Sequence, residues 1–400
     1  MPVVEGHSVV AHFAVPFSEE RLRAWCERAR EALAGEVQLA LVFAGARCRR
    51  NLGDIVEVVR IFARTPVLAG ATAVGLVAGR RELEGEEGFT VALYHFPDSE
   101  LRVHHLPGET FVDAFGEGRL REHLGDSARD ANAWMIFASP ESMRSDAWLP
   151  AWDAATGGKP TVGGFVSLSP AEPGTVLLKD GTRLSDGAVA LSLHGRTELE
   201  PLVAQGCRPV GDIWTVTEAE HNIIRQIGNR PILEVLRDTL EGMSRRDQKR
   251  ARGNIFIGVV HDEYKTSYRA GDFLVRNLAA IDPKSGAVAI ATPLRVGQNL
   301  QFQIRDAAAA SADLEKQLDA LSLRLMGRRI YGGCLSVCIG RGASLFGVPD
   351  HDAGMIAGVF PDLPLTGVFC NGEFGPVGRH TLLHGYAASL GLFVERGPSP

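Results

Sequence analysis

The sequence predicts an α+β protein of two packed domains, with mixed β-sheets covered by helices and built from repeated strand–helix–strand–strand units. Three observations carry this. Four hundred residues exceed what one core usually organises, so two domains are expected. Apolar residues make up 45% and charged residues 22%, which is the balance of a globular chain and excludes a disordered, collagen-like or coiled-coil one. Three times, a short apolar run is followed by a helical stretch, a proline and glycine, and a second apolar run.

The first copy comprises Val37 to Gly45, a helix from Leu52 to Ala63, and Pro66 to Val77, closed by Phe89 to Phe96. The second comprises Ala133 to Ala138, a helix near Asp146 to Ala155, and Pro160 to Leu168, closed by Ala188 to Leu193. The third comprises Cys334 to Gly340, a helix near Ala353 to Phe360, and Pro364 to Phe374, closed by Leu383 to Phe393. Copies one and three also share a second glycine five residues after the first, Gly75 after Gly70 and Gly372 after Gly367.

Different material separates copies two and three. Trp214 to Gly228 alternates apolar and polar residues on both sides of His221-Asn222, as a hairpin does. Pro231 opens a helix, ILEVLRDTLEGM, near whose first turn proline loses no hydrogen bond. Phe256 to Val260 reads as a strand, and Ala287 to Ile290 reads as the partner of Leu300 to Ile304. Asp306 caps a helix with Leu314, Leu318, Leu321 and Leu325 along one face. The basic residues from Arg245 to Arg252 read as a solvated connection.

Composition narrows the function. A net charge of −6 argues against a nucleic-acid partner, which needs a basic surface to displace counterions from phosphates. The most membrane-like stretch, Thr65 to Gly79, is shorter than the ~20 apolar residues of a span, and the opening residues lack the pattern of a signal peptide. Six cysteines without a C-x-x-C pair suit reduced thiols, so no membrane and a cytoplasmic location are expected. G-x-G-x-x-G, G-x-x-x-x-G-K-[ST] and G-x-S-x-G do not occur, and no cofactor is expected. His380 and His384, in H-T-L-L-H, lie ~13 Å apart if they sit on a strand, too far to share a metal ion. Cys334 and Cys338 fail as a metal pair or disulfide for the same reason, and His104-His105 reads as a loop pair. No metal site follows.

What remains is polarity where the repeat calls for apolar or small residues. Aligning copies three and one by their glycines sets Asn371-Gly372-Glu373 against Val74-Gly75-Leu76. A glutamate thus replaces a leucine, and a buried carboxylate needs a cation or donors. Arg341, after one apolar strand, and Arg305, at the end of another, are the candidates. Two readings stand side by side: a pocket in which Glu373 takes an ammonium and an arginine takes a carboxylate, or a structural salt bridge. Cys338 is either a nucleophile with His384 as proton carrier or a buried, inert thiol.

GDFLVRNLAAIDPKSGAVAIATPLRVGQNLQFQIRDA, GCLSVCIGRGASLFG and PLTGVFCNGEFGP together resemble the C-terminal domain of FIST proteins. LALVFAG, PVLAGATAVGLV, PTVGGFVSL and GCRPVGDIWTVTEAEHNIIRQIGNRPILEVLRDTL resemble the matching N-terminal domain. The resemblance implies an N-like domain over 30–215 and a C-like domain over 216–393. It also implies a sensory, small-ligand-binding module rather than an established enzyme, with a small polar, amino-acid-like ligand and a signalling protein as partner. A stand-alone pair of domains is expected, with no room for a kinase, cyclase, receiver or F-box. The apolar Ala71, Val74 and Leu76 turn attention from the first glycine motif to Arg305, Arg341, Asn371 and Glu373, with Cys338 and His384 beside them as ligand-binding candidates. An enzyme using Cys338 and a protein-binding adaptor are the alternatives.

Overall fold

The structure is a computed structural model that describes residues 5–85, 88–108, 117–143, 146–169, 174–262, 265, 267–268 and 270–397. The chain forms two compact units. The first joins 1–204 to 314–383 and 387–400; the second is 205–313 with 384–386.

All three repeats are present in the first unit. Leu39–Ala44 runs parallel to Val67–Thr72, Ala133–Ala138 to Thr161–Val166, and Ile330–Cys338 to Leu365–Val377. A helix links each pair, over Leu52–Ala63, Leu149–Thr156 and His351–Val359 respectively. The closing strand is antiparallel to the first strand every time: Gly88–Tyr94, Ala188–Gly195 and Ala388–Glu395. One glycine per repeat holds the pair together. A Cβ at Gly70, Gly163 or Gly367 would fall on the carbonyl oxygen of Val42, Ile136 or Leu335 respectively, its register partner on the first strand. The spacing after proline therefore marks a close backbone approach.

The first repeat belongs to a six-stranded sheet, and the second and third lie side by side in an eleven-stranded one. The sheets face each other through Leu41, Phe43 and Tyr94 from one and Phe137, Val368 and Phe393 from the other. Alternate residues such as Ala40 and Val42 turn instead to the helices Glu19–Ala32 and Leu52–Ala63. Helices also cover the outer face of the large sheet, with Leu314, Leu318, Leu321 and Leu325 on one and Ile356 on another. Strands buried on both faces explain why the apolar runs are continuous. The stretch Pro66 to Val77, read as one strand, divides in two. Val67–Thr72 stays in the six-stranded sheet, whereas Gly75–Ala78 crosses to the large one and pairs with Leu365–Val377.

The second unit is an antiparallel sheet. Cys207–Glu220 pairs with both Asn299–Arg305 and Ile223–Ile227, closing six strands into a ring around Val216, Ile257, Phe302 and Ile304. The hairpin at His221-Asn222 forms, and the helix Ile232–Gly242 starts after Pro231. Ala287–Ile290 and Asn299–Arg305 do not pair with each other: the first joins Phe273–Asp282 and Ile223–Ile227, and the second Cys207–Glu220 and Ile255–Val260. The basic run forms the helix Arg245–Ala251, whose Arg250 bonds the buried Asp306 at 2.5 Å. His104 and His105 lie on the strand Ser99–Leu106 instead of a loop; burial pushes the His104 imidazole down to about 4. Among the described residues, no helix is long and apolar enough to cross a membrane, and no three His, Cys, Asp or Glu side chains are grouped to hold a metal ion.

Candidate functional site

Leu365–Val377 is where the three repeats meet. The strand runs parallel to Ile330–Cys338 of its own repeat and antiparallel to Thr161–Val166 of the second and Gly75–Ala78 of the first. Its register against the second repeat slips: Cys370 faces Val166 and Glu373 faces Gly164, so three steps on one strand match two on the other. Gly372 takes φ +127°, in the region that glycine tolerates, and a Cβ on Gly164 would lie 2.6 Å from the Gly372 carbonyl oxygen. The bulge turns Asn371 out to solvent and Glu373 fully inward.

Glu373 is held by only one of its oxygens. Oε2 accepts a hydrogen bond from the Ala387 amide at 3.1 Å, while Oε1 is buried with no partner. Burial pushes the carboxyl well above the usual range, against the Ala387 amide, the Arg341 charge and the nearby Gly372 amide and Cys338 thiol. Cys338 ends the strand Ile330–Cys338, is itself buried, and faces Cys370 across the parallel pair. Beyond it, Ile339 is 46% exposed, and its amide donates to the Cys370 carbonyl.

Arg341 follows within the turn and has no exposed surface. Its guanidinium grips Asp352 with two bonds, Nε to Oδ2 at 2.6 Å and Nη2 to Oδ1 at 2.9 Å. The guanidinium carbon lies 5.3 Å from the Phe346 ring centroid, and that ring stacks on His351, whose Nδ1 is 2.9 Å from Asp352 Oδ1. Burial alone would push the Asp352 carboxyl up; the Arg341 charge and the bonds from His351 and Arg341 outweigh it and hold the carboxyl below the usual range.

Two further carboxylates arrive from the first repeat. The Glu82 amide donates to Asp350 Oδ1 at 2.6 Å, and Glu82 Oε1 accepts from the Ala353 amide at 2.8 Å. Glu84 Oε1 accepts from the Ala343 amide at 2.7 Å. Each thus satisfies an otherwise orphaned N–H at a helix start. Burial, then the negative Asp352, push the Glu82 carboxyl up to about 7, and its Oε2 is buried without a partner.

Of the six candidates, Cys338, Arg341 and Glu373 come together inside the first unit and Asn371 stands at their rim. Arg305 ends the strand Asn299–Arg305 in the second unit, its guanidinium 6.0 Å from the Tyr386 ring centroid. His384 ends the strand His380–His384, is buried, and is grouped with the second unit. Sequence reading did not single out Asp352, His351, Glu82 or Glu84. Asp352 carried a weak signal, an acid in the first turn of the helix that follows Arg341; Glu82 carried none, being 271 positions before its partner Ala353.

The FIST N domain matches residues 38–230 and the FIST C domain residues 233–376. The chain belongs to the FIST family. FIST domains are sensory, signal-transduction domains for which small ligands are suspected. An uncharacterized protein of Mycobacterium tuberculosis is 36% identical over 371 residues, covering 92% of this FIST protein and 94% of the relative. An uncharacterized protein of Mycobacterium bovis is 35% identical over 374 residues, covering 92% and 94%. An F-box/LRR-repeat protein of Arabidopsis thaliana is 35% identical over 85 residues, covering 20% of this chain and 16% of the relative.

Proposed function

We propose that this FIST protein is a sensor that binds a small polar, amino-acid-like molecule at Glu373, with Cys338 and Arg341 around it and Asn371 at the rim. The observation that carries the reading is the unpartnered, fully buried Oε1 of Glu373. A buried polar atom without a partner is disfavoured by about 1–3 kcal/mol, and a structural salt bridge would have relieved it. Arg341 relieves Asp352 instead. Glu373 is then an acid that donates a hydrogen bond while neutral, or ionises when an ammonium arrives. Glu373 lies past the carboxyl end of Ile330–Cys338, at the bulge within Leu365–Val377. Because Glu373 has no exposed surface, a guest reaches it only when part of the structure around it moves. That movement is the signal passed to a protein partner.

Thermal shift against a panel of the twenty amino acids tests this. A ligand at a hundred times its Kd stabilises the wild type by about 2.7 kcal/mol. The response disappears in Glu373→Ala and survives in the exposed-surface variant Leu323→Ala. No response from the wild type, or an equal response from Glu373→Ala, contradicts the proposal.

A further inference from the structure

At the opposite end of the third repeat's first strand lies a cavity of about 490 Å³, lined by Arg196, Arg328, Arg396, Glu395 and three glycines. It opens before residue 330, whereas the Glu373 site lies past Cys338, roughly 26 Å away along Ile330–Cys338 at ~3.3 Å per residue. Its walls are the turn after Ala188–Gly195, the turn before Ile330–Cys338 and the end of Ala388–Glu395.

The guanidinium groups here are not equivalent. Arg328 uses four of its five donors: Nε and Nη2 donate to the Glu395 carbonyl at 3.1 and 2.7 Å, Nη1 to Glu200 at 2.6 Å, and Nη2 also to Glu198. It ties the base of the recess together. Arg196 and Arg396 are only anchored. Arg196 uses Nη2 alone, at 3.0 Å from Glu395 Oε1, and Arg396 uses Nη1 alone, at 3.0 Å from Asn132 Oδ1. Their chain segments are fastened to each other, since the Arg396 amide donates to the Arg196 carbonyl at 2.6 Å. Two oriented guanidinium groups therefore keep Nε and a further Nη with no acceptor among the described residues. Arg324 and Arg329 add ion pairs at 3.7 Å to Glu200 and 3.8 Å to Glu395. Five arginines, Arg196, Arg324, Arg328, Arg329 and Arg396, stand against Glu198, Glu200, Glu395 and the adjoining Asp98, an excess of one positive charge.

We propose that this recess is a second ligand site, which takes the phosphate group of a small phosphorylated metabolite on Arg196 and Arg396. A phosphate monoester carries about −1.5 to −2 charge at pH 7, opposite in sign to the local excess, and its oxygens suit the open forks of Arg196 and Arg396. The volume lies within the ~300–1,000 Å³ of small-molecule pockets and exceeds what a bare phosphate needs, leaving room for the rest of a metabolite.

Inorganic phosphate is the probe, titrated against the melting temperature at constant ionic strength with chloride as the balancing anion. The wild type is expected to show a saturable rise, and Arg196→Gln/Arg396→Gln to bind at least tenfold more weakly. Arg396→Gln alone, at an exposed position, gives an intermediate loss and serves if the double variant fails to fold. Glu373→Ala keeps the full phosphate response, which separates this site from the first. A wild-type response that does not saturate, or equal affinity in Arg396→Gln, overturns the proposal.

Discussion

Arg341 and Asp352 show how little freedom a buried charge has. Both are fully buried, and together they satisfy four polar atoms with two bonds. Removing one partner leaves the other charged and dry, so Asp352→Ala is expected to destabilise the protein by about 3–5 kcal/mol in denaturant unfolding. A loss below about 1 kcal/mol would mean that the pair is wet. Glu82 makes the opposite demand. Its folded pKa is raised to about 7 from 4.5, so the folded state holds a proton that the unfolded chain has released. The stability it contributes is complete below pH 4.5 and is lost as pH rises through 7. Compared with Glu82→Gln, the wild type should lose on the order of 1–3 kcal/mol across that window; parallel pH profiles would refute the assignment. Glu373 was legible in the sequence because a repeat exposed it as a glutamate standing where the equivalent position is leucine. Glu82 was not, because its partners are set by tertiary packing between distant segments.

The repeat was the most legible element, because each copy signals the same backbone contact. Gly367→Ala would drive a methyl group into the Leu335 carbonyl, and its parallel pair must shift to admit it. We expect a loss of about 1–3 kcal/mol or more. Gly354, inside the helix His351–Val359, is the control: nothing lies within 4 Å of the Cβ it would gain, so Gly354→Ala should stabilise by roughly 0.5–1 kcal/mol. Equal effects from the two substitutions would remove the close-approach explanation. Where strand reading failed, the cause was pairing at long range. Pro66 to Val77 is continuous in its apolar pattern, yet it changes sheets between Thr72 and Gly75. Asn299–Arg305 chose partners on both sides other than its nearest neighbour in sequence. Periodicity carries no information about either choice.

In the whole molecule, three copies of one unit build the first compact body, and the intervening segment forms a ring of antiparallel strands with its own core. Four of the five tryptophans belong to the first body, and Trp214 belongs to the second. The fluorescence lost in Trp214→Phe therefore reports the ring alone. With separate cores, that signal should change at a different urea concentration from the far-UV circular dichroism; coincident curves would show one cooperative unit. The proposed sensing role depends on a dry acid with one oxygen left for a guest. Infrared difference spectroscopy of the wild type minus Glu373→Gln, with glutamate carboxyl groups isotopically labelled, reads that acid directly. At pH 7 it should show a protonated carboxyl band, which converts to carboxylate when the amino acid that raises the melting temperature is added. A carboxylate band in the ligand-free protein, or a protonated band that the amino acid leaves unchanged, would contradict it.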